Sequence, residues 1–271
     1  MNKIIKLIVY VIIGLVQGFT EILPISSSGH LLLTYSFLNV STNDQLNLTI
    51  SLHFASCLAL MIYFFKDIKA ILKGSVNYVL YKKNNNKNDF LLLLYILISS
   101  IPAAITALLL KDYIDLLFDD IKYLYFFFLI TSLLLYIYDL IKVNNKSYNF
   151  KNTFIIGLTQ CICLFPGISR SGTTIFVSKL LKIEKTKGKT FSFLLLIPIS
   201  FGSFFISIID VIKNNTLTCE DIFYYFIAMI VAFFSTLLSL KIIFNKTDKI
   251  KFKCYSFYLI MLSIIILFFY L

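Results

Sequence analysis

Two polar segments hold most of the side chains in this chain that could do chemistry. The first contributes an amide, a carboxylate, three hydroxyls and an imidazole: Gln17, Glu21, Ser26, Ser27, Ser28 and His30. The second contributes a guanidinium and four hydroxyls: Ser169, Arg170, Ser171, Thr173 and Thr174. If the two segments meet, this set suits the binding and cleavage of a phosphate group.

The guanidinium and the carboxylate are the most informative members of the set. A guanidinium forms paired hydrogen bonds to phosphate oxygens, which an ammonium group does not, and Arg170 is the only arginine among 25 basic residues. Glu21 is the only glutamate inside an apolar stretch, where a carboxylate costs about 2.5–3.5 kcal/mol. Glu21 could act as a base or a metal ligand while a serine or His30 attacks the phosphorus. The residue types leave that nucleophile open.

Both polar segments interrupt apolar regions, about 4–37 and 152–181, at turns rich in Pro, Ser and Gly. A helix does not continue smoothly through such residues, and lipid cannot pair the freed backbone groups. We therefore predict two re-entrant helix–loop–helix hairpins, whose loops are buried in protein or line a watery cavity. The helix that follows each loop would direct its positive N-terminus at a bound anion.

The amino-acid composition indicates whether these hairpins lie in water or in a membrane. Of the 271 residues, 59% are hydrophobic and 14% are charged, whereas soluble domains average about 45–50% apolar and about 25% charged residues. This excess excludes a disordered chain, a disulfide-rich secreted domain and an ordinary soluble enzyme. It predicts an all-α polytopic membrane protein with a single integral membrane domain over 1–271. Six stretches are apolar enough to span a bilayer: 49–65, 90–110, 123–141, 190–210, 222–242 and 254–271.

The lysines predict the orientation of the chain in the membrane. With six spans and two re-entrant hairpins, the segments 66–89, 142–151, 179–189 and 241–253 fall on one side and hold 19 of the 24 lysines. Basic segments face the cytoplasm, so both termini are expected outside. The net charge of +11 is then explained by loops near anionic lipid, and we expect no nucleic-acid partner.

The two hairpins resemble each other in sequence. Gly14 and Gln17 match Gly157 and Gln160, and the first and last glycine are 15 positions apart in both copies. Three spans follow each hairpin, so the second copy is predicted to be inverted relative to the first, with repeats of about 1–141 and 152–271. Inverted repeats with broken helices are best known from transporters. A transporter or lipid flippase is therefore the rival to an enzyme.

Two other groups of residues are interpreted as structural. His53 lies inside a predicted span, where a histidine is more often a satisfied core residue than a catalyst. The five cysteines form no metal-binding or disulfide spacing and mostly lie within apolar runs, where a free cysteine behaves as a small hydrophobe.

The two polar segments also carry a resemblance that covers nearly the whole chain. Gln17-Gly-Phe-Thr-Glu21-Ile-Leu-Pro-Ile-Ser-Ser-Ser-Gly-His30 and Pro166-Gly-Ile-Ser-Arg-Ser-Gly-Thr-Thr174 are similar to the two motifs of the undecaprenyl-diphosphate phosphatases, also called bacitracin-resistance proteins. Position 17 is Gln where many members have Glu, which removes one negative charge.

The resemblance implies an enzyme of the bacterial inner membrane. Its substrate would be undecaprenyl diphosphate, a long-chain prenyl diphosphate, and its product the lipid carrier for cell-wall synthesis. The site would open to the outer face, and activity would confer bacitracin resistance. Oligomeric state is open, and a homodimer is compatible with the sequence.

The resemblance also implies roles for individual residues. Glu21 and Gln17 would form the metal or acid–base pair, with Mg²⁺ or Ca²⁺ as the divalent cation. Ser27 would be the nucleophile or a phosphate ligand, with His30 as its partner or rival, and Arg170 would hold the diphosphate. The remaining predicted substrate contacts are hydroxyl groups: Ser26, Ser169, Ser171 and Thr174.

Overall fold

A computed structural model describes residues 3–40, 42–110, 113, 114, 116, 121–142, 146–214, 217–246 and 251–270. Within these ranges the extended regular elements are α-helices: α1 (Lys3–Ile22), α2 (Ser27–Phe37), α3 (Thr42–Tyr63), α4 (Phe65–Tyr81), α5 (Lys87–Leu109), α6 (Leu124–Tyr138), α7 (Phe150–Thr159), α8 (Arg170–Leu180), α9 (Lys185–Leu194), α10 (Leu196–Asn214), α11 (Cys219–Lys246) and α12 (Phe252–Tyr270). Short 3₁₀ turns occupy Asn84–Asn86, Ile121–Tyr123 and Gln160–Leu164. The prediction of an all-α protein is confirmed.

Seven helical segments in the described part of the chain are long and apolar enough to cross a membrane. Six of them overlap the six predicted spans, and the seventh is α1, the first arm of the first predicted hairpin. The long helices also leave large apolar side chains uncovered, among them Phe234 on α11 and Phe268 on α12, with exposed fractions of 63% and 86%. Lipid can cover such side chains at no cost, whereas water cannot. The chain is a multi-pass membrane protein.

At both predicted hairpins the structure has two helices joined by a turn, and their re-entrance in the membrane stays a prediction. In the first, α1 ends at Ile22 and α2 begins at Ser27. In the second, α7 continues into the 3₁₀ turn Gln160–Leu164, and α8 begins at Arg170. The helices that follow the two turns both have 11 residues.

The segment 66–89, predicted as a basic loop, contains the helix α4. Ile71, Gly74 and Ser75 are buried on one face of this helix, while Lys69 and Lys73 are exposed. Gly74 lies so close to α5 that an added Cβ would come within 2.1 Å of a carboxylate oxygen of Asp89. The lysine content predicted a loop. The segment instead forms a helix that packs on α5, because its apolar residues are three and four positions apart and lie on one face.

The first arm of each hairpin packs on a long helix from the other half of the chain. The first arm α1 packs on α11, and its counterpart α7 packs on α5. Both contacts rely on matched glycines, because a Cβ added at Gly14 would lie 2.5 Å from the carbonyl oxygen of Ala228, and one added at Gly157 would lie 2.5 Å from that of Ser99. Each hairpin is thereby held against a long helix of the opposite half.

Candidate active site

The second helices of the two hairpins begin with the same capping arrangement. The Ser26 hydroxyl accepts a hydrogen bond from the Gly29 amide at 3.4 Å, and the Ser169 hydroxyl accepts one from the Gly172 amide at 3.1 Å. Serine is a favoured N-cap because its oxygen satisfies one of the free amides of the first turn. The N-termini of α2 and α8 carry a positive partial charge.

The two turns contact each other directly. The Gly167 amide donates a hydrogen bond to the Ser26 hydroxyl at 3.1 Å, which joins two residues that are 141 positions apart. Gly167 has a φ of +100°, and an added Cβ would lie 2.7 Å from the Cβ of Phe127. Only glycine fits this position without strain. The prediction that the two polar segments meet is confirmed.

A threonine from α6 supports the second turn. The Thr131 hydroxyl donates to the carbonyl oxygen of Gly167 at 2.8 Å and accepts from the Ser169 amide at 3.0 Å. Thr131 was not singled out from the sequence. It stands in an apolar run with no motif around it, so only its position across from the turn shows its role.

Glu21 lies where the two hairpins meet. Its Oε1 accepts a hydrogen bond from Arg170 Nη2 at 2.9 Å. Its Oε2 accepts hydrogen bonds from the Ser27 hydroxyl at 2.6 Å and from Gln17 Nε2 at 2.9 Å. The Glu21 side chain is 2% exposed and the Arg170 side chain 19%. The buried carboxylate is thereby paired with a cation and fully hydrogen-bonded, as a charge in such a place must be.

A cavity of about 350 Å³ opens beside this ion pair. Its polar end is formed by a carboxylate, a guanidinium, an imidazole and hydroxyl groups: Glu21, Ser26, Ser27, Ser28, His53, Ser169, Arg170 and Ser171. The rest of its lining comes mainly from small or apolar residues of α3, α5 and α10: Leu46, Ile50, Ala103, Ala104, Ala107, Leu108, Ile199, Gly202 and Ile206. Polar residues of α3 and α10 interrupt this lining: Asn47, Thr49, Ser200, Ser203, Ser207 and Asp210. This shape accepts a molecule with an anionic head and an apolar tail.

His30, a predicted catalytic residue, does not line this cavity. Its Nδ1–H donates to the carbonyl oxygen of Ser26 at 2.7 Å, and its Nε2 accepts from the hydroxyl of Tyr258 at 2.8 Å. Ser26 has a φ of +68°, a conformation that costs of order 1–3 kcal/mol in a residue other than glycine. His30 therefore holds the carbonyl group of a strained turn, and its role in the reaction stays a prediction.

His53, interpreted from the sequence as a core residue, does line the cavity. Its Nδ1 lies 2.9 Å from Glu21 Oε2. The local sequence does not predict this contact, because His53 and Glu21 lie on different helices. The contact follows from the packing of α3 beside α1.

Two further predicted residues lie behind the cavity wall rather than in it. Gln17 is fully buried, and its Nε2 is also 3.3 Å from the Ser56 hydroxyl. Thr174 is fully buried, donates to the carbonyl oxygen of Arg170 at 2.8 Å and contacts the Ser192 hydroxyl. Both support residues that face the cavity, so a direct contact with substrate stays a prediction for each.

The donors near the cavity suit a metal ion only in part. No group of three or more His, Cys, Asp and Glu side chains that could hold a metal occurs among the described residues. Glu21 supplies a carboxylate whose oxygens already accept hydrogen bonds, and Gln17 supplies an amide oxygen that is buried without a partner in the described structure. Because Gln17 does not line the cavity, Glu21 would be the main protein ligand, and a cation there would take most of its ligands from water and phosphate, as Mg²⁺ commonly does.

The arrangement combines a hydroxyl, a base and a cation. Ser27 donates to Glu21, which is the geometry of a nucleophile beside its base. Arg170 uses one N–H group of its guanidinium for Glu21, and the guanidinium makes no other described hydrogen bond. Its remaining donors are available to anionic oxygen atoms. Together these groups suit attack on a phosphorus atom.

Comparison with known proteins agrees with this chemistry. A family model described as "Bacitracin resistance protein BacA" matches residues 10–265. A protein of Bacillus thuringiensis named undecaprenyl-diphosphatase 2 is 35% identical over 99% of this chain and 100% of its own length. The undecaprenyl-diphosphatase of Thermosipho africanus is 37% identical over 96% of this chain and 98% of its own length. That of Christiangramia forsetii is 40% identical over 71% of this chain and 72% of its own length.

Proposed function

The chain belongs to the bacitracin resistance protein family, and we propose that it hydrolyses undecaprenyl diphosphate to undecaprenyl phosphate and inorganic phosphate. Two of the relatives described above are named undecaprenyl-diphosphatases, and the match covers 100% and 98% of their own lengths. One observation supports the assignment most strongly. A hydroxyl, a carboxylate and a guanidinium from two separate hairpins form one hydrogen-bonded group, Ser27–Glu21–Arg170, at the polar end of an apolar cavity.

In the proposed first step, the Ser27 oxygen attacks the terminal phosphorus. The bond between this phosphorus and the bridging oxygen breaks, and its electron pair leaves with the prenyl phosphate. The proton of Ser27 passes to Glu21 Oε2, to which the hydroxyl already donates at 2.6 Å. Arg170 and the N-termini of α2 and α8 stabilise the negative charge on the phosphoryl oxygens. In the second step water attacks the phosphorus of the serine phosphate, the bond between this phosphorus and the Ser27 oxygen breaks, and inorganic phosphate leaves. The Ser27 oxygen takes back the proton held by Glu21.

His30 is the alternative nucleophile. It would have to give up its hydrogen bond to Tyr258 or to Ser26 before it could attack. The hydroxyl of Ser27 needs no such rearrangement. We therefore favour Ser27.

The apolar walls of the cavity are proposed to receive the first part of the prenyl chain. The walls belong to α3, α5 and α10, and all three lie in segments long and apolar enough to cross a membrane. Gly202 on α10 faces open space, since an added Cβ would meet no atom of the described residues within 4 Å. A lipid tail lying there would leave its diphosphate next to Arg170.

A divalent cation, Mg²⁺ or Ca²⁺, is proposed to assist the reaction. Glu21 and the amide oxygen of Gln17 are the groups that would hold it, together with water and the diphosphate. When bound, the cation would neutralise charge on the phosphate oxygens.

The setting of the activity is proposed from the lysine distribution and the family. The protein would lie in the bacterial inner membrane with its site open to the outer face, and its product would return to cell-wall synthesis as the lipid carrier. The paired contacts of α1 with α11 and of α7 with α5 support two inverted repeats, about 1–141 and 152–271. Bacitracin resistance would follow from the removal of the diphosphate.

Phosphate release from a long-chain prenyl diphosphate tests the proposal. Purified protein in detergent should release phosphate, the chelator EDTA should stop the release, and Mg²⁺ should restore it. Glu21→Ala should reduce the rate by about 10²–10⁴-fold, the range for loss of a general base. The exposed Ile62 of α3 supplies a control, since Ile62→Ala should keep the wild-type rate. No release under any metal condition would favour the transporter alternative.

A further inference from the structure

His53 contacts the carboxylate of Glu21 as closely as Arg170 does. The distance from His53 Nδ1 to Glu21 Oε2 is 2.9 Å, and that from Arg170 Nη2 to Glu21 Oε1 is also 2.9 Å. The two contacts involve different oxygen atoms. His53 therefore acts on Oε2, which is the oxygen that accepts the hydrogen bond from Ser27.

The neighbours of His53 determine which of its nitrogens carries the proton. Besides Glu21, Gln17 Nε2 lies 3.2 Å from His53 Nδ1. An amide nitrogen only donates and a carboxylate only accepts, so Nδ1 cannot satisfy both neighbours. The charged carboxylate is the nearer and stronger partner. Nδ1 therefore carries the proton and donates it to Glu21.

Three donors then hold one oxygen of Glu21. Ser27, Gln17 and His53 converge on Oε2 from α2, α1 and α3. Only the Ser27 hydroxyl is proposed to react. The other two donors, Gln17 and His53, therefore fix the orientation of Oε2 and the direction of its lone pairs. Gln17 is on the same helix as Glu21 and moves with it, whereas His53 reaches it from a different helix.

We propose that His53 is a positioning residue: its Nδ1–H fixes Glu21 Oε2 in line with the hydroxyl of Ser27. The inference rests on the proposed phosphatase function and adds a role for a residue outside both motifs. Without the imidazole, Oε2 keeps Gln17 and Ser27 but loses its only donor from α3, so its position relative to the Ser27 hydroxyl is less fixed. A displacement of about 1 Å at a reacting group costs about 10²-fold in rate.

Two substitutions separate a positioning role from a merely structural one. His53→Leu removes the donor and keeps an apolar side chain of moderate size. His53→Asn keeps an N–H group two bonds from Cβ, which is the position of Nδ1 in histidine. We expect His53→Leu to lower kcat by about 100-fold with little change in KM, because no substrate contact is lost. His53→Asn should recover most of that loss.

The assay is phosphate release by the purified full-length protein from a long-chain prenyl diphosphate. Each variant is first shown to elute as a single species on size exclusion in detergent, and His53→Ala replaces His53→Leu if the latter does not. Ile62→Ala, on the exposed face of the same helix, controls for general effects of substitution in α3.

Three outcomes would overturn the inference. Wild-type kcat in His53→Leu would show that the contact is unimportant. Equal loss in His53→Asn and His53→Leu would show that the donor is not what matters. A raised KM with unchanged kcat would make His53 a substrate ligand instead. If the wild-type protein itself releases no phosphate, the proposed function fails, and that result is distinct from all three.

Discussion

The Nη2 atom of Arg170 lies 2.9 Å from Oε1 of Glu21, although 149 residues separate the two in the chain. Each residue comes from a different broken hairpin, and each is the only residue of its kind in the apolar part of the sequence. The ion pair joins the two hairpins at the polar end of the cavity. A diphosphate that enters the cavity offers Arg170 further anionic oxygen atoms, which places substrate binding and the proposed base in direct contact.

Replacement of Arg170 by lysine tests whether the guanidinium is needed for its shape as well as its charge. Arg170→Lys keeps the positive charge but loses the planar guanidinium. A lysine ammonium group cannot bind Glu21 and a phosphate oxygen through separate, coplanar N–H groups. We expect kcat/KM for phosphate release to fall by about 10–100-fold, the effect of about one to two lost charge-assisted hydrogen bonds. Full activity of Arg170→Lys would contradict the proposed role.

Trapping of a phosphorylated intermediate identifies the nucleophile. Rapid acid quench of the enzyme with substrate labelled at the terminal phosphate should give an acid-stable phosphoserine, and Ser27→Ala should abolish the label. Phosphohistidine is acid-labile, so a label that survives only in alkali would point to His30. Absence of label in the wild-type enzyme after both an acid quench and an alkaline quench would indicate direct attack by water.

Gly202 provides a test of where the prenyl chain lies. An added side chain at Gly202 would extend into open space next to the cavity, so Gly202→Phe should fill the apolar part without moving its neighbours. We expect kcat/KM for a long-chain prenyl diphosphate to fall by about tenfold or more, and that for a short-chain one to change little. The control is Ile212→Phe, at an exposed position of the same helix. An equal loss for both substrates would mean that the chain does not lie along Gly202.

The close contact between α7 and α5 predicts that an alanine at Gly157 destabilises the protein, whereas one at Gly202 does not. A Cβ at Gly157 would lie 2.5 Å from the backbone oxygen of Ser99, and a backbone atom cannot move aside as a side chain can. Gly157→Ala should therefore destabilise the protein by about 1–3 kcal/mol. Gly202→Ala, which meets nothing within 4 Å, should be neutral or slightly stabilising. The measurement is the apparent melting temperature in detergent. Equal shifts in the two variants would contradict the tight contact.

Two native cysteines test the orientation of the chain. Cys219 and Cys254 are exposed and lie at the starts of α11 and α12, on opposite sides of the membrane in the predicted topology. In variants that retain one cysteine each, a membrane-impermeant maleimide should label Cys219 in intact cells and Cys254 only after permeabilisation. The reverse pattern would invert the orientation. Labelling of both from the same side would contradict the predicted number of spans between them.

Most of the fold could be predicted from local sequence. Hydropathy identified six of the seven apolar segments long enough to cross a membrane, and Pro, Gly and Ser marked both turns, because each of these features depends on neighbouring residues alone. The helix α4 was missed for the same reason. Its lysines resemble a loop in composition, and its buried face is recognised only against α5.

The chemical types at the site are evident from the amino-acid order: one carboxylate, one guanidinium and the hydroxyl groups of two broken hairpins. These are costly residues in an apolar chain, so their presence alone indicates function. Which of these residues face the cavity depends on how the helices pack in three dimensions. His30, predicted to be catalytic, supports a strained turn, whereas His53, interpreted as a core residue, contacts Glu21. Thr131, which lies outside both motifs, holds the second turn in place. Those assignments depend on the packing of α3 and α6 against the hairpins, and such long-range contacts leave no periodic or local pattern in the chain.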